Sequence, residues 1–141
     1  MLIIFVCTGN TCRSPMAEAL CRQEAAKRGL TDVRATSAGL AADGSPAANN
    51  AVAVMGELGL DISRHRSRQL TKDLCESADL FAVMTEDHAA LLHLLFGVER
   101  DCVRVLGGGI PDPYGGDMAT YRRTRDALAE AVTALLEELP S

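Results

Sequence analysis

The sequence predicts an α/β domain built on one sheet of four mainly parallel strands, with helices on both faces. Short continuous apolar runs, LIIFV at residues 2–6 and LFAVM at 80–84, read as strands buried on both sides. Segments with helix start and stop signals alternate with them, the order expected of βαβ units. No linker, repeat or composition shift divides the 141 residues, so 1–141 reads as a single domain.

In chain order, the strand at 2–6 ends in a glycine-containing turn. Ser14-Pro15 reads as a helix start, serine as N-cap and proline at the first helical position, with Gly29 as the stop. Residues 33–37 form a second short strand that leads into a loop at 38–44. Ser45-Pro46 and Gly59 repeat the start and stop signals, and a polar, arginine-rich connection follows. After the third strand at 80–84, Thr85 caps a helix running toward Phe96, with Glu86 and Asp87 well placed in its first turn. Residues 102–106 form the fourth strand, followed by Gly107-Gly108-Gly109 and the loop IPDPYGGD. A long amphipathic helix at 117–139 closes the chain, with Asp117 as its N-cap. Tyr121, Leu128, Val132, Leu135, Leu136 and Leu139 fall near one face of it.

Composition narrows the function classes. The chain is 48% hydrophobic and 23% charged, with net charge −5. That balance excludes a general nucleic-acid binder, which needs a basic surface to neutralise phosphates. The basic cluster at 64–68 (RHRSR) is a candidate aid in holding a phosphorylated protein, whereas the one at 122–125 (RRTR) reads as a solvated face. LIIFV is too short for a signal core or a membrane span and no charged n-region precedes it, so a cytoplasmic protein without membrane contact is expected. The five cysteines, at 7, 12, 21, 75 and 102, are odd in number and form no paired framework; thiols are expected. Cys21, Cys75 and Cys102 read as small buried hydrophobes.

In sheets of this kind ligands bind beyond the carboxyl ends of the strands. The stretch CTGNTCRSP leaves the first strand at that edge, and DPYG leaves the fourth there, so two distant segments are expected to converge. No histidine pairs with Cys7 and Cys12 at metal-ligand spacing, and neither GxxxxGK[ST] nor GxGxxG is present, so no metal and no cofactor is expected. What remains is Cys-x5-Arg between a strand and a helix. Such a loop can turn backbone N–H groups inward as an anion nest, with the helix N-terminus adding partial positive charge. Arg13 supplies a fork for two phosphoryl oxygens, and the same surroundings favour a nucleophilic thiolate at Cys7.

CTGNTCRSPMAEAL near the amino terminus and DPYGG near the carboxyl end resemble the low-molecular-weight protein-tyrosine-phosphatase family. TSAGL, DISRHRSRQL and VMTEDH follow in the expected order, so the resemblance covers the whole chain. It implies a flavodoxin-like four-stranded parallel sheet and a phosphate-binding loop of Thr8, Gly9, Asn10, Thr11, Cys12, Arg13 and Ser14. It further implies that Cys7 attacks phosphorus, that Arg13 binds the equatorial oxygens, and that Asp112 acts first as general acid and then as base for water. Asn10, Ser37 and His65 match positions that brace the loop by hydrogen bonds, and Ser14 one that stabilises the thiolate. Cys12 matches a second cysteine, either a reversible disulfide partner of Cys7 or a loop-packing residue. His88 and His93 are assigned to ordinary helix positions.

The resemblance also bears on substrate. Family members acting on phosphotyrosine commonly carry a larger apolar residue where this chain has Thr11, and many place an aromatic in the loop that here reads LAADGSPAA. Threonine in the cradle resembles a bacterial branch that removes phosphate from arginine. Tyr114 would then be the remaining aromatic wall, and Asp112 or Asp117 would meet the guanidinium. The expectation is a protein-arginine phosphatase acting on phosphorylated proteins and binding phosphate-like oxyanions, with phosphotyrosine as the alternative. Arsenate reduction would need resolving cysteines closer together than Cys75 and Cys102, and a non-catalytic binding module would need neither Cys7 nor Asp112.

Overall fold

The computed structural model describes residues 1–139. Four parallel strands, β1 (Leu2–Cys7), β2 (Arg34–Gly39), β3 (Leu80–Val83) and β4 (Val103–Val105), lie in the order β2-β1-β3-β4. The α-helices among the described residues are α1 (Arg13–Lys27), α2 (Asn49–Gly56), α3 (Lys72–Ser77), α4 (Glu86–Phe96) and α5 (Met118–Glu138). The apolar run of β1 divides by alternation. Ile3 and Phe5 pack into one core with Met16 and Leu20 of α1 and Leu128 and Val132 of α5. Ile4 and Val6 pack into the other core with Phe81, Val83 and Leu92. Both faces of the strand are therefore covered, and each such fully buried side chain contributes about 1.5–3 kcal/mol.

The expected helix starts shift. α1 begins at Arg13 behind Cys12, with no side-chain cap, because the Ser14 hydroxyl turns to Cys7 Sγ and Asn10 instead. Ser45-Pro46 starts no helix: the Ser45 hydroxyl bonds Asp43, Pro46 bridges to Arg66, and α2 begins at Asn49. α3, a six-residue helix capped by Thr71, lies in the polar, arginine-rich connection, where no element was expected. The caps at Thr85 and Asp117 stand as expected. The cluster at 122–125 is exposed at Arg122 and Arg123, as expected of a solvated face, but two of its arginines also make a tertiary contact. Arg122 and Arg125 grip Glu57 at 2.8 and 2.7 Å, tying α5 to the end of α2 and holding that carboxyl down at about 2. All five cysteines are free; Cys21 is buried as expected, but Cys75 is half-buried and Cys102 exposed. Among the described residues no helix is long and apolar enough to cross a membrane.

β1 and β2 end in register, Cys7 opposite Gly39, so the segment after Cys7 crosses directly over Gly39. A Cβ on Gly39 would stand 2.6 Å from the Thr8 carbonyl oxygen and 3.0 Å from Asn10 Cβ. Backbone cannot yield as a side-chain tip does. Gly39→Ala is therefore expected to lose about 1–3 kcal/mol in urea unfolding; an unchanged midpoint would contradict this close approach.

Candidate active site

The cradle at residues 7–13 is shaped by where its carbonyls go. Those of Cys7, Thr8 and Thr11 accept from Leu40 N at 3.0 Å, Ala41 N at 2.9 Å and Ala48 N at 2.9 Å. That of Asn10 accepts from His65 Nε2 at 2.7 Å. In a planar peptide the N–H points opposite the carbonyl, so outward carbonyls turn the amides of Thr8, Gly9, Thr11 and Cys12 inward. The result is an anion nest at the start of α1.

Asn10 carries the turn. Its φ of 57° is the one left-handed non-glycine conformation among the described residues, a region asparagine tolerates better than most. Fully buried, it is pinned on all sides: Oδ1 accepts from Arg68 N at 3.0 Å and Nδ2 donates to Ser14 Oγ at 2.7 Å. With its oxygen accepting from Asn10, Ser14 has its own hydrogen left for Cys7 Sγ, 2.8 Å away. Asn10 N donates to the same sulfur at 3.3 Å. Two donors are thus aimed at one sulfur.

Arg13 is only 5% exposed, and its Nη1 donates to the Ile110 carbonyl at 2.9 Å. Its Nη2 lies 3.8 Å from Asp112 Oδ2. The other oxygen of Asp112 accepts from Tyr114 N at 3.0 Å, which aims the half-exposed carboxylate across the cradle mouth. Together with Thr11 and Tyr114 these groups line a cavity of about 220 Å³ that has Cys7 in its wall. A groove of about 450 Å³ adjoins it through Gly9, Thr11 and Tyr114 and is walled by Ala41, Asp43 and Pro46. A larger cavity lies at the amino ends of the strands among Leu2, Ala25 and Leu30, and its one thiol, Cys21, is pushed up to about 11 by burial. It has no nucleophile and acid together, a combination that the smaller cavity offers in Cys7 and Asp112.

Several expected roles change. Ser37 does not brace the loop with its hydroxyl, which is buried without a hydrogen-bond partner among the described residues; its carbonyl accepts from Arg68 Nε at 3.1 Å, a link one residue removed. The cluster at 64–68 is scaffold rather than a phosphoprotein surface at three positions. His65 and Arg68 hold Asn10, and Ser67 Oγ accepts from Gly44 N. Cys12 is buried against the Tyr121 hydroxyl at 3.4 Å, as a loop-packing residue would be, and burial pushes its thiol up; it is a free thiol, not bonded to Cys7. Asp117 is committed to Thr120 as helix cap. His88 is no ordinary helix position: it is 4% exposed, with Nε2 3.0 Å from Thr8 Oγ1. Its only signal in the sequence was its place three residues after the Thr85 cap. No group of three or more potential metal-ligating side chains occurs among the described residues.

The sequence profile described as low molecular weight phosphotyrosine protein phosphatase matches residues 2–141. A protein-arginine-phosphatase of Bacillus subtilis is 43% identical, with 99% of this chain and 97% of that protein covered. Among solved structures, a YwlE arginine phosphatase mutant with a phosphorylated active site serine superposes with TM-score 0.93. It is 41% identical and covers 99% of this chain and 95% of that one. A low molecular weight protein tyrosine phosphatase from T. tengcongensis also gives TM-score 0.93, at 37% identity and 99% coverage of both chains.

The buried His88 sets a pH dependence. Burial first, and the Arg13 charge second, push its imidazole below the usual range, with Asp87 and Asp112 pulling weakly the other way. As pH falls through roughly 6.5, the unfolded chain takes up a proton that the fold refuses, so stability is lost. The unfolding free energy of the wild type is expected to fall more steeply from pH 7 to 5 than that of His88→Gln. Equal slopes would show that the fold does not hold this imidazole neutral.

Proposed function

Because the chain belongs to the low molecular weight phosphotyrosine protein phosphatase family, we propose that it is a cysteine-dependent phosphatase that removes phosphate from arginine side chains of proteins. The observation that carries the substrate is the wall of the cavity. Thr11 offers it a short hydroxyl-bearing side chain, and the loop after β2 brings no aromatic residue to the adjoining groove. That leaves polar room for a planar guanidinium where a phenol ring would find no second stacking surface. Relatives called protein-arginine-phosphatase, from Bacillus subtilis and Geobacillus stearothermophilus, support the reading at 43% and 39% identity.

In the reaction, the nest amides and the Arg13 fork hold the phosphoryl oxygens, with Arg13 stabilising the charge that spreads over them in the transition state. The Cys7 thiolate attacks phosphorus; the S–P bond forms as the P–N bond breaks, and Asp112 gives its proton to the departing guanidine nitrogen. Water then attacks the phosphocysteine while Asp112 takes its proton, and the S–P electrons return to sulfur as phosphate leaves. Arg13 held near Asp112 keeps the acid over the leaving group. The five free thiols suit a reducing cytoplasm, where we place the enzyme, acting as one catalytic domain on phosphorylated proteins.

Phosphotyrosine is the second reading, favoured by Tyr114, which is 78% exposed at the cavity and free to stack on a ring. Cys7→Ser should abolish turnover of an aryl phosphate, and Asp112→Asn should lower kcat about 10²–10⁴-fold. Substrate choice is checked by comparing phosphoarginine and phosphotyrosine peptides. Wild type is expected to prefer phosphoarginine and Thr11→Ile to move toward phosphotyrosine. A wild-type preference for phosphotyrosine would refute the arginine assignment and leave the mechanism standing.

A further inference from the structure

His88 is packed behind the cradle, and the mechanism above does not use it. Its main chain is fixed by the Thr85 cap, whose Oγ1 accepts from His88 N at 3.2 Å. Its ring then reaches 80 residues back along the chain to Thr8, where Nε2 lies 3.0 Å from Oγ1. The other ring nitrogen, Nδ1, is buried with no hydrogen-bond partner among the described residues. A proton on Nδ1 would be a buried donor without an acceptor, so the neutral ring carries its proton on Nε2 and donates it to Thr8. An imidazolium would add that unpaired donor and meet the Arg13 charge as well; Asp87 and Asp112 are the charges that oppose this.

Thr8 lines the phosphoryl cavity with Cys7 and Arg13. Its carbonyl is already held by Ala41 N at 2.9 Å. With Oγ1 accepting from His88, the hydroxyl hydrogen of Thr8 is left for a different acceptor, and the oxyanion in the cavity is the acceptor the chemistry supplies.

We infer that His88 is a positioning residue of the reaction, orienting the Thr8 hydroxyl to donate to the phosphoryl group in the cradle. The inference rests on the phosphatase reading and does not depend on whether the substrate is arginine or tyrosine.

The test is a double-mutant cycle read two ways: kcat and KM on p-nitrophenyl phosphate, and affinity for inorganic phosphate by calorimetry. His88→Leu and Thr8→Val are each expected to lose about three- to tenfold in kcat/KM and in phosphate affinity, the effect of one oriented hydrogen bond. His88→Gln, which restores a donor to Thr8, stays within about twofold of wild type. In a Thr8→Val background, His88→Leu adds no further loss. Additive losses, or a Gln variant as impaired as the Leu variant, would overturn the inference. Should His88→Leu fail to fold, Thr8→Ser against Thr8→Val decides: retention in the serine variant alone supports the role, and equal behaviour of the two rejects it. Absence of turnover in a wild type that still binds phosphate would sink the phosphatase reading alone, with the affinity cycle still deciding the inference.

Discussion

Asn10 is held in a left-handed turn by hydrogen bonds from both its side chain and its carbonyl, and the site's geometry depends on that one residue. Without the turn the peptides on either side could not present their amides to a common point. Its Nδ2 sets the direction of the Ser14 hydroxyl, and through it the donor on Cys7 Sγ. Its Oδ1 and carbonyl are reached by Arg68 and His65, both in the arginine-rich segment before α3. That segment therefore supports the loop from below. A left-handed non-glycine residue costs about 1–3 kcal/mol, and it persists here because its surroundings over-determine it.

The electrostatics follow the same economy of place. Arg13, almost fully desolvated, is fixed by the Ile110 carbonyl at 2.9 Å and faces one acid, Asp112, at 3.8 Å. At that separation the pair is a loose contact, so the guanidinium keeps donors for an oxyanion while the carboxylate remains at the mouth. The Ile110 amide in turn donates to the Met84 carbonyl at 2.7 Å, which anchors the acid-bearing loop to the end of β3. Cys7, Arg13 and Asp112 thus meet because the carboxyl edges of β1, β3 and β4 are adjacent in the sheet order.

Much of this was legible in the residues. LIIFV and LFAVM announced doubly covered strands, Thr85 and Asp117 announced helix starts, and Cys-x5-Arg with a distant Asp-Pro announced two segments of one site. Local signals failed where a side chain had a stronger tertiary partner. Ser14 and Ser45 look like N-caps, but one hydroxyl serves Cys7 and the other Asp43. The pairing of Arg122 and Arg125 did not show because their partner, Glu57, lies over sixty positions away. α3 is too short for any apolar period to show. His88 could not be distinguished from a helix-face histidine, since its partner Thr8 sits on the far side of a parallel crossover.

In the proposed mechanism one cradle both binds the phosphoryl group and supplies its nucleophile. Trapping the intermediate tests it most directly: Asp112→Ala enzyme mixed with phosphorylated substrate, quenched rapidly, and mapped by mass spectrometry. Phosphate is expected on the peptide that contains Cys7, and none when the enzyme is Cys7→Ala. Phosphate on any other residue, or turnover with no covalent species and full activity in Cys7→Ala, would contradict it.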